Sequence, residues 1–178
     1  MKKISAKKIT YSAICLALAI VLPYITGNIP EIGSMLCPMH IPVLLCGFIC
    51  GPFYAGVVGF IAPILKSVIS GGMPPMFPMA IAMAFELSTY GVLSGIMNGL
   101  LPKKNGNIYI SLIVAMFGGR VVWGIVRFIL ATVSTEVFTF EAFLAGAITS
   151  AIPGIILHIL LIPVCVMALR RANLDKTE

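Results

Sequence analysis

Charged residues are scarce in this sequence, and their scarcity excludes an ordinary soluble domain. Only 10% of the 178 residues are Asp, Glu, Lys or Arg, whereas 60% are hydrophobic. A soluble domain carries about a quarter charged residues, because its surface must face water. The mean hydropathy is +1.08, and no long polar segment separates the apolar runs. We therefore predict that residues 1–178 form a single domain within the membrane.

Motifs of enzymes and of ATP-binding proteins are also missing. The chain has no His-Glu-x-x-His, no Gly-x-Ser-x-Gly and no pair of aspartates for a metal phosphate site. It has no Gly-x-x-x-x-Gly-Lys loop, so we expect no cofactor in this chain, and any ATP-driven step requires another subunit. The five cysteines show no metal-type spacing and are interpreted as packing residues. No internal repeat of the kind found in many secondary transporters is visible. A small membrane enzyme and a stand-alone channel or transporter nevertheless stay open as alternatives.

Proline and glycine divide the chain into six apolar runs. The second run, 39–50, is shorter than the roughly 20 residues of a perpendicular span, so it should be tilted or extended by loop residues. The other runs cover 9–22, 53–69, 76–101, 108–133 and 140–169. This pattern predicts an all-α integral membrane bundle of about six transmembrane helices.

The basic residues indicate the orientation of this bundle. The net charge of +6 would suit nucleic acid, but the basic residues lie in short clusters between apolar runs, which excludes that interpretation. With the N-terminus inside, the external segments carry Glu31, Glu136 and Glu141 and no Lys or Arg. The cytoplasmic segments then carry Lys2, Lys3, Lys7, Lys8, Lys103, Lys104, Arg170, Arg171 and Lys176. Both termini are therefore predicted to be cytoplasmic.

Small residues recur every fourth position in two runs and predict close helix packing. They are Gly91, Gly95 and Gly99 in the fourth run, and Gly146, Ser150 and Gly154 in the sixth. Ala13 and Ala17 form a similar pair in the first run, although alanine is common in such helices.

Ionisable residues inside the apolar runs are the candidate site residues, because a charge in hydrocarbon costs several kcal/mol unless it faces a cavity or a partner. They are Lys66, Glu86, Arg120, Arg127, His40 and His158. Helical spacing places Arg120, Trp123 and Arg127 on one face of the fifth run, and Glu86 and Tyr90 on one face of the fourth. Three cations and one anion give a formal charge of +2, which favours a ligand with a carboxylate or another anionic group.

Alternatives remain for several of these residues. Glu86 can pair with Arg120 or Arg127 as a structural ion pair, and Lys66 can reach outward to the interface. His40, between Pro38 and Pro42, is a candidate for ligand contact or for a lid. His158 is interpreted as a hydrogen-bonded packing residue.

The whole chain resembles the substrate-binding S components of energy-coupling factor (ECF) vitamin transporters. The resemblance rests on chain size, on six spans with both ends inside, on Ala13-x-x-x-Ala17, and on the stretch from His40 to the Gly51-Pro52 turn. It implies that Ala13 and Ala17 contact a transmembrane coupling subunit, and that Asn28 to Cys37 form a lid over the ligand. It also implies a multi-pass protein of a prokaryotic plasma membrane, which binds a vitamin from outside and topples against the coupling subunit. Two ATPase subunits of the ECF module would use the ATP.

The substrate is the least determined part of this interpretation. The excess of buried cations favours pantothenate, a small carboxylate, and would also suit folate. The presence of Lys66 in the third helix resembles riboflavin-binding members of the family. Glu86 would suit a cationic base such as a queuosine precursor. We expect Arg120 and Arg127 to hold the anion, Trp123 and Tyr90 to pack the body of the ligand, and Glu86 to orient a hydroxyl or amide. Lys66, Asn28 and His40 complete the predicted site, with a second lid at Gly71 to Pro78.

Overall fold

The computed structural model describes residues 5–25, 36–133, 139–146 and 152–172, and these residues form helices joined by short turns. The helices are α1 (Ala6–Ile25), α2 (His40–Cys50), α3 (Pro52–Ile69), α4 (Ile81–Leu100), α5 (Asn105–Ala131), α6 (Phe140–Leu144) and α7 (Ile152–Arg171). A short π-helical turn, Met76–Ala80, precedes α4. The predicted all-α membrane bundle is thereby confirmed.

The lengths of the helices match the predicted spans closely. Within the described residues, five helices are long and apolar enough to cross a membrane, and one of them includes the π-helical turn before α4. The 11-residue α2 is too short to cross by itself, as predicted for the second run. The sixth run, predicted as one helix, contains both α6 and α7, and residues 147–151 between them lie outside the described ranges.

A sharp turn joins α2 to α3. Gly51 has a φ of 91°, a left-handed conformation that residues with a Cβ adopt only with strain. Pro52 follows as the first residue of α3, where its missing N–H costs no helical hydrogen bond. The Gly-Pro dipeptide therefore ends one helix and starts the next within two residues, which packs α2 and α3 side by side.

The central helix is α4, which packs against α2, α3 and α5. Glycines allow the backbones of α3 and α4 to touch. A Cβ on Gly91 would lie 2.5 Å from the carbonyl oxygen of Ala55, and a Cβ on Gly95 would lie 2.5 Å from the nitrogen of Pro52. Gly99 has nothing within 4 Å of such a Cβ, so the predicted packing face includes Gly91 and Gly95 but not Gly99.

The bundle is apolar on its outside as well as in its core. Large hydrophobic side chains are exposed along the helices, among them Phe53, Phe117 and Leu160, which are 76%, 73% and 65% exposed. Such a surface is unsuited to water and suited to lipid. The core is built mainly of small and aliphatic residues at the centre of α2, α3, α4 and α5, including Val43, Leu44, Ala55, Val58, Ala62, Leu87, Leu112 and Ala115.

Side-chain hydrogen bonds show which helix ends share a side of the bundle. The guanidinium of Arg170 at the end of α7 donates to Asn98 Oδ1 over 2.8 Å, and Asn98 Nδ2 donates to the Phe48 carbonyl over 3.0 Å. At the opposite side, the hydroxyls of Tyr24 and Ser70, at the ends of α1 and α3, lie 2.7 Å apart. The helices thus alternate in direction, as the distribution of basic residues requires.

Candidate functional site

Glu86 lies at the centre of a buried polar cluster. Glu86 is 2% exposed and lies in the second turn of α4. Arg120 Nη1 from α5 lies 3.0 Å from Glu86 Oε1, and the Tyr90 hydroxyl, one helical turn along α4, donates to the same oxygen over 2.9 Å. The ion pair and the hydrogen bond together compensate the burial of the carboxylate. Of the two partners left open by the sequence, the structure pairs Glu86 with Arg120.

Close helix packing makes room for Tyr90 in this cluster. Tyr90 is only 1% exposed, with its ring against the α5 backbone. A Cβ on Gly119 would lie 2.3 Å from an atom of this ring, so any larger residue at position 119 would displace it. The glycine next to Arg120 therefore allows the tyrosine and the arginine to reach the same carboxylate oxygen.

Two histidines join the cluster through one backbone carbonyl. His40 Nδ1 lies 3.1 Å from the carbonyl oxygen of Cys37, and His158 Nε2 from α7 lies 3.3 Å from the same oxygen. The centroids of the two imidazole rings are 5.8 Å apart. The other ring nitrogen of His40, Nε2, lies 3.7 Å from Glu86 Oε1. We call these six residues the Glu86 cluster: Cys37, His40, Glu86, Tyr90, Arg120 and His158.

Cys37 also contacts the cluster with its side chain. Arg120 Nη2 lies 3.8 Å from the thiol sulfur. Burial raises the pKa of the Cys37 thiol, although the positive charge of Arg120 opposes that shift. The thiol is therefore neutral at physiological pH. The backbone of Cys37 has a φ of 47°, a left-handed conformation that is uncommon for a residue other than glycine.

Trp123 lies apart from the Glu86 cluster, in an aromatic group near the end of α5. Its indole stacks on the ring of Phe143 from α6, with 6.2 Å between centroids and 26° between planes. A Cβ on Gly146 would lie 2.8 Å from the indole, so the start of the sixth run also packs on it. Arg127, one turn farther along α5, is half-buried. The structure thus places Trp123 and Tyr90 in different groups, although both were predicted to pack the ligand.

Lys66 is buried, with 2% exposure, rather than reaching outward. Its Nζ lies 3.3 Å from the centroid of the Tyr24 ring, a cation–π contact that joins α3 to the end of α1. The Ser67 hydroxyl donates to the Pro74 carbonyl over 2.6 Å, which attaches the predicted second lid to α3. Lys66 is therefore placed against the end of α1.

The remaining predicted site residues are only partly described. Asn28 and most of the predicted first lid lie outside the described residues, and Cys37 is the described end of that segment. Ala13 and Ala17 are exposed on α1, beside the exposed side chains of Ile14 and Leu18. The opposite face of α1, at Cys15 and Ala19, is buried against the bundle.

A lipid-facing groove of about 520 Å³ lies between α3 and α4, away from the Glu86 cluster. Its lining is apolar except for the hydroxyl of Ser88, and it includes Phe53, Gly56 and Phe60. It contains none of the predicted site residues and no ionisable side chain. This groove therefore offers no charged group to a polar solute.

A comparison with known protein families matches most of the chain to one family. A family model described as "ECF transporter, substrate-specific component" matches residues 7–166. No curated protein matches the chain. No solved structure matches it either.

Proposed function

This chain belongs to the substrate-specific components of ECF transporters, and from that membership we propose that it binds pantothenate from outside the cell. The observation that supports the position of the site best is the Glu86 cluster. A buried ion pair costs more desolvation energy than it returns unless its geometry is good, and inside a membrane bundle such groups mark solute sites by default. We place the substrate next to this cluster, between α4, α5 and α7.

Charge is the reason for proposing an anionic substrate. The interior of the described spans carries one acidic residue, Glu86, against three basic residues, Lys66, Arg120 and Arg127. Glu86 is paired with Arg120, so it cannot balance all three cations. A carboxylate on the substrate would reduce this excess of formal positive charge through charge-assisted hydrogen bonds. Pantothenate meets this requirement, and folate is the alternative of the same charge type.

The other two vitamin classes fit the contacts less well. A cationic base, such as a queuosine precursor, would have to compete with Arg120 for Glu86. A riboflavin-type role for Lys66 would require the ammonium to leave the Tyr24 ring, on which it lies at 3.3 Å. Pantothenate requires neither rearrangement.

The partner surface is proposed on α1. Ala13 and Ala17 are exposed between larger apolar residues, so another helix can approach the backbone there. We propose that this face contacts the transmembrane coupling subunit of the ECF module, whose two ATPase subunits drive toppling of the loaded chain in the plasma membrane. The chain itself would bind and deliver its substrate without catalysing a reaction.

Thermal unfolding of the purified protein in detergent tests the substrate proposal. The panel consists of pantothenate, folate, riboflavin and a queuosine precursor. A compound at a hundred times its dissociation constant should stabilise the fold by about 2.7 kcal/mol, which a thermal melt resolves. Stabilisation by pantothenate alone is expected. Stabilisation by another compound of the panel would reassign the substrate, and no stabilisation by any of the four would contradict the vitamin assignment.

A further inference from the structure

Three methionines recur at every third position in the segment that joins α3 to α4. They are Met73, Met76 and Met79, in the stretch Met-Pro-Pro-Met-Phe-Pro-Met. The segment follows the end of α3, on the side of the bundle where the hydroxyls of Tyr24 and Ser70 meet. The distribution of basic residues predicts that this side faces outward.

These methionines differ from the others in their exposure. Met73, Met76 and Met79 are 41%, 39% and 37% exposed. The other methionines that the structure describes are buried or half-buried, namely Met39, Met83, Met97, Met116 and Met167. Within the described residues, the large hydrophobic side chains exposed elsewhere are aliphatic or aromatic. Core packing, a common role of methionine, therefore accounts for the other methionines and leaves these three unexplained.

The backbone holds the three methionines close together. The Ser67 hydroxyl donates to the Pro74 carbonyl over 2.6 Å, which fixes the start of the stretch on α3. The Ala80 N–H donates to the Pro75 carbonyl over 2.9 Å, which closes the π-helical turn that contains the second and third methionines. A methionine side chain is unbranched and has three rotatable bonds. Exposed side chains of this kind on so short a stretch can bring their sulfurs to one ion.

The donor atoms indicate which ion they would bind. Thioether sulfur is a soft, uncharged ligand that suits copper(I) and ions like it. Calcium, magnesium and zinc require carboxylate, carbonyl, imidazole or thiolate ligands. No Asp, Glu, His or Cys occurs from Ser70 to Ile81. Among the described residues, no group of three such side chains could hold a metal ion either.

We propose that Met73, Met76 and Met79 bind one soft monovalent cation, copper(I) or silver(I), through their sulfur atoms. None of the three belongs to the Glu86 cluster, and the inference does not depend on the identity of the vitamin. Three uncharged ligands leave the charge of the ion uncompensated, which favours a singly charged ion over a doubly charged one.

The absence of an ionisable proton separates this site from other soft-metal sites. A thiol or an imidazolium must lose a proton before it binds a metal, so such sites weaken in acid. A thioether has no proton to lose. Binding at the three methionines should therefore be equally tight in neutral and in mildly acidic buffer.

Nuclear magnetic resonance of isotope-labelled methionine methyl groups tests the site in the full-length protein in detergent. The probe is silver nitrate in chloride-free buffer, added after the accessible thiols have been alkylated. The single variants Met73→Leu, Met76→Leu and Met79→Leu assign the signals and nearly conserve side-chain volume. In the wild-type protein the three signals should shift together and saturate at one equivalent of silver(I), in neutral and in acidic buffer alike.

The same variants test whether the three sulfurs share one ion. Each should weaken silver(I) binding at the two remaining methionines by about tenfold to a hundredfold or more, since even the loss of an outer-shell partner of a metal costs that much. Met116→Leu, which replaces a methionine packed against the core in α5, is the matched control and should bind silver(I) like the wild-type protein. The inference is overturned if the three signals do not shift, if they saturate at unrelated concentrations, or if the single variants bind as tightly as Met116→Leu.

Discussion

Arg120 Nη1 lies 3.0 Å from Glu86 Oε1, and this contact joins α5 to α4 inside the bundle. The carboxylate is almost completely buried, whereas the arginine side chain keeps 18% exposure. The pair therefore combines a fixed anion with a cation that retains access to its surroundings. This asymmetry makes the arginine the member that can also contact a solute.

Removal of either charge should destabilise the fold, because the other charge would stay buried without a counter-ion. We expect Glu86→Gln and Arg120→Gln each to lower the free energy of unfolding by about 3–5 kcal/mol. The double variant should lose less than the sum of the two, with a coupling of about 0.5–3 kcal/mol. Thermal unfolding in detergent measures all three.

Thr89→Ala is the matched control for this cycle. Its hydroxyl is exposed on the same helix and bonds only to the Phe85 carbonyl among the interactions that the structure describes. It should leave the unfolding midpoint nearly unchanged. Strictly additive effects of the Glu86 and Arg120 variants would contradict the ion pair.

Arg127→Ala should weaken substrate binding at least tenfold, because a charge-assisted hydrogen bond contributes about 1.5–3 kcal/mol. Calorimetric titration of pantothenate measures the affinity. Arg171→Ala, at the exposed end of α7, is the control and should bind normally. Wild-type affinity in both Arg127→Ala and Arg120→Ala proteins would refute the proposed pocket.

Ala13→Phe and Ala17→Phe should separate binding from transport. Both residues are exposed on α1, so a phenylalanine there leaves the substrate site intact but blocks the approach of a partner helix. We expect unchanged affinity for pantothenate and loss of ATP-dependent uptake in proteoliposomes that contain the full ECF module. Ile113→Phe, on the exposed side of α5, should support uptake. Normal uptake by both alanine variants would show that the coupling subunit binds elsewhere.

Gly91→Ala and Gly99→Ala form a matched pair on one helix. The added Cβ at position 91 would lie 2.5 Å from the Ala55 carbonyl oxygen, whereas at position 99 it meets nothing within 4 Å. Overpacking typically costs about 1–3 kcal/mol, and alanine in an open helical position gains up to about 1 kcal/mol over glycine. We expect a lower unfolding midpoint for Gly91→Ala and an equal or higher midpoint for Gly99→Ala. Equal effects would mean that α3 and α4 do not touch at Gly91.

Much of the fold was predictable, because each apolar run and each breaker acts locally. The turn at Gly51 and Pro52 depends on the conformational freedom of one residue and the missing N–H of the next. The prediction that Gly91 and Gly95 approach another helix also followed from their spacing. The sixth run was predicted as one helix because only short polar interruptions, at Glu141, Thr149, Ser150 and His158, occur between 140 and 169.

The Glu86 cluster was predictable only in part. Glu86 and Arg120 were identified because ionisable groups are rare in apolar runs, and His158 was predicted as a hydrogen-bonded packing residue. The role of Cys37 had no sequence signal, because its backbone carbonyl makes the contacts and any residue has a carbonyl. Helical spacing placed Arg120 and Trp123 on one face of α5. It could not show that Arg120 and Trp123 contact different neighbouring helices.

The shared Cys37 carbonyl has a consequence for the balance between conformations of the protein. It connects His40 at the start of α2 to His158 in α7 through a residue that belongs to neither helix. Each hydrogen bond contributes about 0.5–1.5 kcal/mol, so breaking both would change the population ratio of two arrangements by about fivefold to 150-fold. Tight binding of a small molecule releases several times that free energy. A substrate that binds one arrangement more tightly than the other by that factor would therefore decide whether Cys37 stays attached to the two histidines.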